Sequence, residues 1–320
     1  MNDLIVIGAA QLRRLVSMED AVDAVAEAFI SLSRGEAVQP PRLAMPDGRT
    51  LGMFVQVGDQ LSVKVVTVRP ENAAAGLPTL QSTVIWRDGA GRSALIEGAA
   101  LTAMRTGAAS GVATRLLAPE DASIMAMIGA GGQAADQIRA VAAVRRLREV
   151  RIAARRVGSA QTLADALGEE LGEARLIPCE TVADAVRDAD IVTTATTAAS
   201  PVLALEDLAE TVHVNAIGAF RLDMCELPPE LLAEAALIAI DEREAMEKEA
   251  GDVMAAVASG HIELGGPREI GELLQAPPQL PDRRRTVFKS VGVAVQDWAL
   301  ARLAVARAVE EGGAQVISLA

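Results

Sequence analysis

Side chains that form disulfides or bind metal ions are scarce in this chain of 320 residues. It has two cysteines, Cys179 and Cys225, and two histidines, His213 and His261, and all four lie far apart in the sequence. Two distant cysteines do not make a disulfide framework, and neither residue type forms the cluster that a zinc site needs. The sequence therefore predicts that the chain binds no metal.

Long apolar runs and an excess of positive charge are missing as well. No apolar run approaches the ~20 residues that cross a bilayer, and the sequence starts without the charged segment of a signal peptide. The formal net charge of −13 disfavours nucleic acids and anionic membranes as partners. We therefore expect a cytoplasmic protein of two domains, in which any anionic ligand meets a local basic pocket.

Lysine is rare too, because only Lys64, Lys248 and Lys289 are lysines among the 30 basic residues. A buried lysine, unlike an arginine, can lower its pKa and exchange a proton, so each lysine is a candidate for chemistry. Lys248 lies in the charged run Asp241–Glu249, which favours a solvated helix face. Lys64 lies in a different setting.

Lys64 belongs to the second of two short strand-like runs, Leu51–Gln56 and Leu61–Val68, which Gly58-Asp59 joins as a hairpin. Alternation places its side chain on the face opposite Leu61, Val63 and Val65. A lysine that points away from an apolar face lies either at the surface or in a pocket. The residue pattern leaves these two alternatives open.

Arg105 stands among alanine, glycine and serine in the predicted helix Leu101–Leu117. Such an arginine often extends along the surface to reach water. Alternatively, its guanidinium forms a bidentate contact with a substrate carboxylate. Here too the pattern allows both interpretations.

The stretch Ser123–Ala134 is typical of the strand, turn and helix that open a dinucleotide-binding unit. Gly129 allows the tight turn, Gly131 allows backbone N–H groups to approach a pyrophosphate, and Ala134 lets the helix pack closely on its strand. The N-terminus of that helix would hold the phosphates. The pattern is short, and a tight turn in any α/β protein can produce it, so the surrounding chain must support it.

Two arginines follow the next predicted strand, Glu149–Ala154, where NAD-binding chains place an acidic residue for the ribose 2′-hydroxyl. Arg155 or Arg156 can instead accept a 2′-phosphate. The alternative is that the pair begins a solvated helix. We therefore predict NADPH as the cofactor, with NADH as the alternative.

Strand and helix patterns alternate up to about residue 285. The predicted strands are Arg175–Pro178, Asp190–Ala195, His213–Ile217 and Ala236–Ile240, and helical patterns cover residues 12–34, 242–259 and 293–309. This predicts an α/β fold with a Rossmann-type doubly wound sheet over residues 119–285, and an α+β domain from residues 1–118 and 286–320. Because ligands bind beyond the carboxyl ends of such strands, we expect Thr196, Gly218 and Phe220 near cofactor or substrate.

Taken in order, these motifs resemble the ornithine cyclodeaminase/mu-crystallin family over most of the chain. The segments that carry the resemblance are Pro41-Arg42, Ser62–Thr67, Gly76–Thr79, Met104–Ser110, Gly129–Ala134, Ala189–Thr196, Asn215–Ala219, Glu249–Asp252 and Thr286–Gly292. The resemblance implies a nicotinamide cofactor and an amino or imino acid substrate. It also implies a homodimer, in which the N-terminal segment and the last helix form the substrate-binding and dimerisation domain.

The resemblance assigns roles to individual residues. Lys64 matches a catalytic residue, and Arg42, Lys64 and Arg105 match residues around the substrate. We expect Phe220 and Val291 at the substrate as well. The residues implied at the cofactor are Thr79, Arg105, Gly129, Gly131, Gly132, Gln133, Arg155, Arg156, Thr196, Ile217 and Ser290. For Lys64 and Arg105 the resemblance favours the functional alternative.

One position departs from the cyclodeaminase pattern, in which an aspartate follows Gly-Ala. Phe220 stands there, and a phenyl ring can neither accept a proton nor pair with a substrate ammonium. The following segment, Arg221–Leu227, resembles the mu-crystallin and ketimine reductase branch instead. Replacement of the missing aspartate by Asp223 is the less favoured alternative.

The expected activity is NADPH-dependent reduction of a cyclic imino acid, such as Δ1-pyrroline-2-carboxylate or Δ1-piperideine-2-carboxylate, to L-proline or L-pipecolate. Two alternatives stay open. One is an NAD-dependent ornithine cyclodeaminase or amino-acid dehydrogenase. The other is a non-catalytic protein of mu-crystallin type that binds NADPH and a small ligand.

Overall fold

The computed structural model describes residues 3–312 and 314–318 of the chain. The chain divides into two units, Met1–Arg105 with Val293–Ala320, and Thr106–Gly292. The sequence places the boundaries after residue 118 and before residue 286 instead. The difference arises because one helix, Gly98–Leu117, runs through the first boundary, and because the strand Arg285–Lys289 pairs within the sheet of the second unit.

The first unit holds the N-terminal strands and helices. Its elements are β1 (Asp3–Ile7), α1 (Ala9–Leu15), α2 (Met18–Ser33), β2 (Ala37–Val38), β3 (Leu43–Ala44), β4 (Thr50–Val57), β5 (Gln60–Val68), β6 (Leu80–Arg87), β7 (Ser93–Glu97) and α3 (Gly98–Leu117), which continues into the second unit.

The second unit follows the alternation that the sequence predicts. Its elements are β8 (Ile124–Ile128), α4 (Ala134–Val144), β9 (Glu149–Ala153), α5 (Val157–Leu167), β10 (Arg175–Cys179), α6 (Val182–Val186), β11 (Ile191–Thr194), β12 (Val212–Ala216), α7 (Pro229–Glu234), β13 (Leu237–Ile240), α8 (Arg243–Glu249), α9 (Gly251–Ala258), β14 (Arg268–Glu269), α10 (Ile270–Gln275) and β15 (Arg285–Lys289). The chain then returns to the first unit with α11 (Ala294–Glu311) and β16 (Gln315–Ser318).

The sheet of the first unit has the strand order β16-β1-β7-β6-β5-β4-β2, with β3 also paired to β4. β4 and β5 form the predicted antiparallel hairpin, and Gly58 takes a positive φ of 58° in its turn. Helix α11 packs on β4, β5 and β6, and also on α2. One face of the hairpin is therefore covered by helix.

The covered face of β5 is the polar one. Ser62, Lys64 and Val66 are buried, whereas Leu61 and Val65 on the other face are 42% and 47% exposed. The surface alternative for Lys64 is therefore wrong. Alternation predicted correctly which residues share a face of the strand. The face that packs against the helices is the polar one, however, and the apolar face is exposed.

The sheet of the second unit is parallel throughout, with the order β10-β9-β8-β11-β12-β15-β13-β14. The first strand of the unit, β8, lies between β9 and β11, so the winding direction reverses there. Ligands of doubly wound folds bind at this switch point, beyond the carboxyl ends of the strands. The predicted Rossmann-type fold is confirmed.

Two predicted helices are each divided in the structure. Residues 12–34 form α1 and α2, with Ser17 at the start of α2 accepting a hydrogen bond from the Asp20 N–H. Residues 242–259 form α8 and α9, which meet at Ala250. In the part of the chain that the structure describes, no helix has the length and apolar character to cross a membrane. The cytoplasmic location stays a prediction.

Candidate functional site

Lys64 and Asp297 form a buried ion pair in the first unit. Lys64 lies in the middle of β5, paired to both β4 and β6, and Asp297 lies in the first turn of α11. The Lys64 Nζ is 2.9 Å from Asp297 Oδ1 and 2.8 Å from Oδ2. Each side chain is only 2% exposed.

Arg105 joins the same carboxylate. Its Nε donates to Asp297 Oδ1 at 3.1 Å, and its Nη1 donates to Gln296 Oε1. Gln296 Oε1 also accepts from the Val293 N–H at 3.1 Å, so this side chain fixes the start of α11 as well as Arg105. Arg105 is buried, which excludes the alternative of a solvated surface arginine.

The charges around Lys64 oppose one another. Burial, together with the positive charges of Arg105 and Arg42, lowers the pKa of the Lys64 amine to about 7, although the Asp297 carboxylate acts in the opposite direction. The amine is therefore charged below about pH 7 and neutral above it. A pKa near neutrality is what a group needs to give and take a proton in this pH range.

Arg42, Lys64 and Arg105 place positive charge beside the Asp297 carboxylate. An incoming carboxylate, as a nearby negative charge, would raise the pKa of Lys64. Binding of an anion and protonation of the lysine are thus coupled. The arrangement can hold a carboxylate and supply a proton beside it.

The turn between β8 and α4 has the form expected for a dinucleotide site. Gly129 has a φ of 107°, and a Cβ there would lie 2.6 Å from the Ala195 carbonyl oxygen. At Gly131 and Gly132 a Cβ would meet nothing within 4 Å, so the backbone is open to an approaching group. Ala134 is completely buried at the start of α4. Gly129 is therefore required by the tight turn, whereas Gly131 and Gly132 form an open cradle of backbone in which a ligand could bind.

Gln133 lies directly after these glycines, at the start of α4. It is the N-cap residue of α4 but makes no side-chain cap, so its side chain satisfies none of the first N–H groups of the helix, of which the Ala134 N–H donates to the Gly131 carbonyl oxygen at 3.0 Å. Its buried Oε1 has no hydrogen-bond partner among the described residues. An open cradle, an uncapped helix and an unsatisfied amide oxygen all fit a bound dinucleotide.

The other predicted cofactor residues of the second unit follow the carboxyl ends of neighbouring strands. Thr196 comes after β11, Ile217 after β12, and Ser290 after β15. The Ser290 hydroxyl donates to Asp241 Oδ2 at 2.9 Å, and the same oxygen accepts from the N–H groups of Val291 and Gly292 at 2.8 Å each. Asp241 thereby fixes the segment after β15.

Arg155 and Arg156 are exposed between β9 and α5. Neither guanidinium has a hydrogen-bond or ion-pair partner among the residues that the structure describes. Both are therefore available to an anion at this end of the sheet.

For three predicted residues, the contacts in the structure do not bear on the predicted role. Thr79 is exposed in the first unit, just before β6, and Phe220 is half-buried against the core of the second unit. Val291 is buried in that core. Asp223 is exposed and forms two hydrogen bonds of 2.9 Å with Arg221, so the structure gives no support to its replacing an aspartate at 220.

His213 has a structural role. His213 is completely buried between Thr286 and Asn215, and burial lowers its pKa to about 3, which keeps it neutral. Within residues 3–312 and 314–318, no group of histidine, cysteine, aspartate and glutamate could hold a metal ion.

The sequence reasoning missed four residues that the structure places at these sites. They are Asp241, Glu226, Gln296 and Asp297. The available signal was an acidic or amide residue within an otherwise apolar segment, as in Val293–Leu300 for Gln296 and Asp297.

Comparison with known proteins identifies one family. The family model described as ornithine cyclodeaminase/mu-crystallin family matches residues 3–312. A Δ1-pyrroline-2-carboxylate reductase of Bacillus cereus is 35% identical over 320 residues, which cover 97% of this chain and 98% of the relative. The ketimine reductase mu-crystallin of Mus musculus is 33% identical over 277 residues, covering 84% of this chain and 85% of the relative.

Solved structures share the fold over nearly the whole chain. The Δ1-pyrroline-2-carboxylate reductase of Thermococcus litoralis, in complex with NADH and L-proline, has a TM-score of 0.91 at 33% identity and covers 97% of this chain and 99% of its own. An archaeal alanine dehydrogenase dimer with bound NAD has a TM-score of 0.90 at 29% identity, covering 99% and 100%. The iminosuccinate reductase of Paracoccus denitrificans with NAD⁺ has a TM-score of 0.87 at 32% identity, with the same coverage.

The rarity of lysine allows the Lys64 pKa to be measured directly. In protein with ¹³C-labelled lysine, we expect the Lys64 signal, assigned by its loss in Lys64→Met, to titrate near pH 7. Asp297→Asn removes the anion that favours the ammonium, so the pKa of Lys64 should fall further. NMR titration of the parent and Asp297→Asn proteins checks both. A Lys64 signal that titrates at the ordinary value of about 10.4 would contradict this account of the site.

Proposed function

Because the chain belongs to the ornithine cyclodeaminase/mu-crystallin family, we propose that it uses NADPH to reduce the C=N bond of a cyclic imino acid. The products would be L-amino acids of the proline and pipecolate type. The observation that carries the proposal is the buried Lys64–Asp297–Arg105 cluster, in which a lysine with a pKa of about 7 lies among arginines.

The residues of the cluster suit the two parts of an imino acid. Arg105 and Arg42 would bind the carboxylate and so orient the adjacent C=N carbon. Lys64 would donate a proton to the imine nitrogen, and Asp297 would hold the lysine in place for that step. A bound dinucleotide would supply the hydride to the carbon. Hydride and proton together convert C=N to CH–NH.

Phe220 supports a reductase over a cyclodeaminase. The deaminating cyclisation needs a group that handles the substrate amine, and the phenyl ring has no such chemistry. An apolar ring would instead form a wall against the methylene groups of a cyclic substrate. The named activities of the Bacillus and mouse relatives, both reductases, favour the same class.

The preference for NADPH rests on Arg155 and Arg156. Both are exposed after β9, where a Rossmann-type unit meets the adenosine ribose, and no acidic residue stands at residues 154–156 to accept a 2′-hydroxyl. An arginine binds a 2′-phosphate at this point. The structural relatives contain NADH or NAD, so the preference would distinguish this chain from them.

A homodimer is supported by the uncovered face of the first-unit sheet. Its apolar side chains include Leu61, Val65 and Ile85, at 42%, 47% and 47% exposure, and Leu43 at 57%. An apolar sheet face of this kind usually marks an interface. The archaeal alanine dehydrogenase is a dimer, and we infer that a second copy of this chain covers the same face here.

The activity is tested by following NADPH absorbance with Δ1-pyrroline-2-carboxylate, Δ1-piperideine-2-carboxylate and iminosuccinate, and by assaying ornithine conversion alongside. We expect oxidation of NADPH with a cyclic imine and none with ornithine. Lys64→Met should lower kcat by about 10²–10⁴-fold, the usual contribution of a general acid. Lys248→Met, which removes an exposed lysine, should leave kcat unchanged. NADPH binding without turnover of any imine would favour the non-catalytic alternative.

Arg155→Asp tests the cofactor preference, since it places a carboxylate where the 2′-phosphate would bind. We expect the Kd of NADPH to rise about tenfold or more and that of NADH to change little, because only NADPH loses a charge-assisted contact. Fluorescence titration of both dinucleotides measures the two constants. Arg283→Asp, at an 84% exposed arginine, is the control. Equal losses for NADPH and NADH would contradict the 2′-phosphate assignment.

Val65→Glu tests the dimer face. A carboxylate buried there would be costly to desolvate, so the variant should be a monomer while the parent is a dimer. Light scattering after size-exclusion chromatography gives both masses. Val316→Glu changes an exposed valine on β16 and should leave the dimer intact. A dimeric Val65→Glu protein, or a monomeric parent, would show that this face is not the interface.

A further inference from the structure

Glu226 is completely buried in the second unit, in the segment between β12 and α7. Its Oε1 accepts hydrogen bonds from the Thr196 N–H at 2.6 Å and from the Thr196 hydroxyl at 2.8 Å. Its Oε2 accepts from the Gly218 N–H at 2.8 Å and the Ala219 N–H at 3.2 Å. One carboxylate therefore ties together the segments that follow the neighbouring strands β11 and β12.

Gly218 makes this bridge possible. A Cβ at that position would lie 2.2 Å from the Thr196 carbonyl oxygen and 2.6 Å from Glu226 Oε1. Any side chain there would force the two segments apart. The close approach of the Thr196 and Gly218 segments thus requires both the glycine at 218 and the Glu226 carboxylate that bridges them.

A second buried carboxylate holds Glu226 by its backbone. Asp252, in the first turn of α9, accepts from the N–H groups of Glu226 and Leu227. Asp252 also forms an ion pair with Lys289 at the end of β15, and both side chains are completely buried. The position of Glu226 is therefore fixed by a third strand of the sheet as well.

Because of these hydrogen bonds, the Thr196 hydroxyl can act toward a ligand only as an acceptor. Its hydroxyl hydrogen is directed at Glu226, and its oxygen also accepts from the Ala198 N–H at 3.3 Å. The remaining lone pair can only accept a hydrogen bond. A donor such as the amide nitrogen of a nicotinamide carboxamide matches it chemically.

We propose that Glu226 is a positioning residue for the dinucleotide: it fixes Thr196 as an acceptor and the Gly218–Ala219 backbone as the support of Phe220. The inference rests on the proposed function, because it assumes that a dinucleotide binds at the carboxyl ends of these strands. It adds a residue that acts through others and that touches neither cofactor nor substrate.

Glu226→Gln tests the role, because its NH₂ group would face N–H donors at one of the two segments. We expect faster hydrogen–deuterium exchange at the amides of Thr196 or of Gly218 and Ala219 in the free protein. The Kd of NADPH, measured by fluorescence titration without substrate, should rise about tenfold, the usual effect of losing hydrogen bonds to a charged group.

Two control variants separate positioning from stability. Glu247→Gln changes an exposed glutamate of the same unit and should alter neither readout. Ile238→Val removes a methylene group from the buried core of β13 and should lower the melting temperature without changing the Kd of NADPH. If Glu226→Gln behaves like Ile238→Val, its role is structural only and the inference is wrong.

Failure of this inference and failure of the proposed function give different results. A parent protein that binds no dinucleotide overturns the proposed function, whereas equal Kd values for parent and Glu226→Gln overturn only the positioning role. If Glu226→Gln does not fold, Thr196→Val keeps the N–H bond to Glu226 but removes the hydroxyl, which donates to Glu226 and accepts from the Ala198 N–H. That variant should weaken NADPH binding, and Thr196→Ser, which keeps the hydroxyl, should restore it; equal binding by all three proteins would contradict the inference.

Discussion

Satisfaction of buried carboxylates is the constraint on which the candidate site of each unit depends. A buried carboxylate is costly unless cations or N–H donors surround it. Asp297 meets this condition with Lys64 and Arg105, whereas Glu226 meets it mainly with backbone N–H groups. The first arrangement fixes side chains that can react, and the second fixes the loops on which a ligand would rest. Each carboxylate therefore orders its surroundings because the alternative is an unpaired charge.

The fold was largely predictable because its signals are local. Alternating apolar residues, the glycine turn at Gly129 and the turn at Gly58 each depend on a few neighbours in sequence, and the structure has strands and turns at these places. The face of β5 was not predictable in the same way. Periodicity separates two faces, but the apolar one is normally assumed to be inside, and here the helices cover Lys64 instead.

The partners in the site could not be found from spacing, since they come from distant parts of the chain. Lys64 and Asp297 are 233 residues apart, and Arg105 and Asp297 are 192 apart. An aspartate in the first turn of a helix is also common for a purely local reason, its favourable interaction with the helix dipole. Asp297 therefore looks ordinary until the strand beneath it is known. Lys64 and Arg105 were recognisable only through their resemblance to a family pattern.

The alternation along β5 has a consequence for how such a sequence can change. One face of the strand carries Lys64 of the cation cluster, and the residues on the other form the uncovered apolar face. Substitutions on the apolar face can therefore leave the cation cluster unchanged, and the reverse also holds. A single inserted or deleted residue within the strand would exchange the two faces beyond it. We therefore expect substitutions to be tolerated in this strand more readily than changes in its length. Insertions and deletions should occur in loops beyond the hairpin instead.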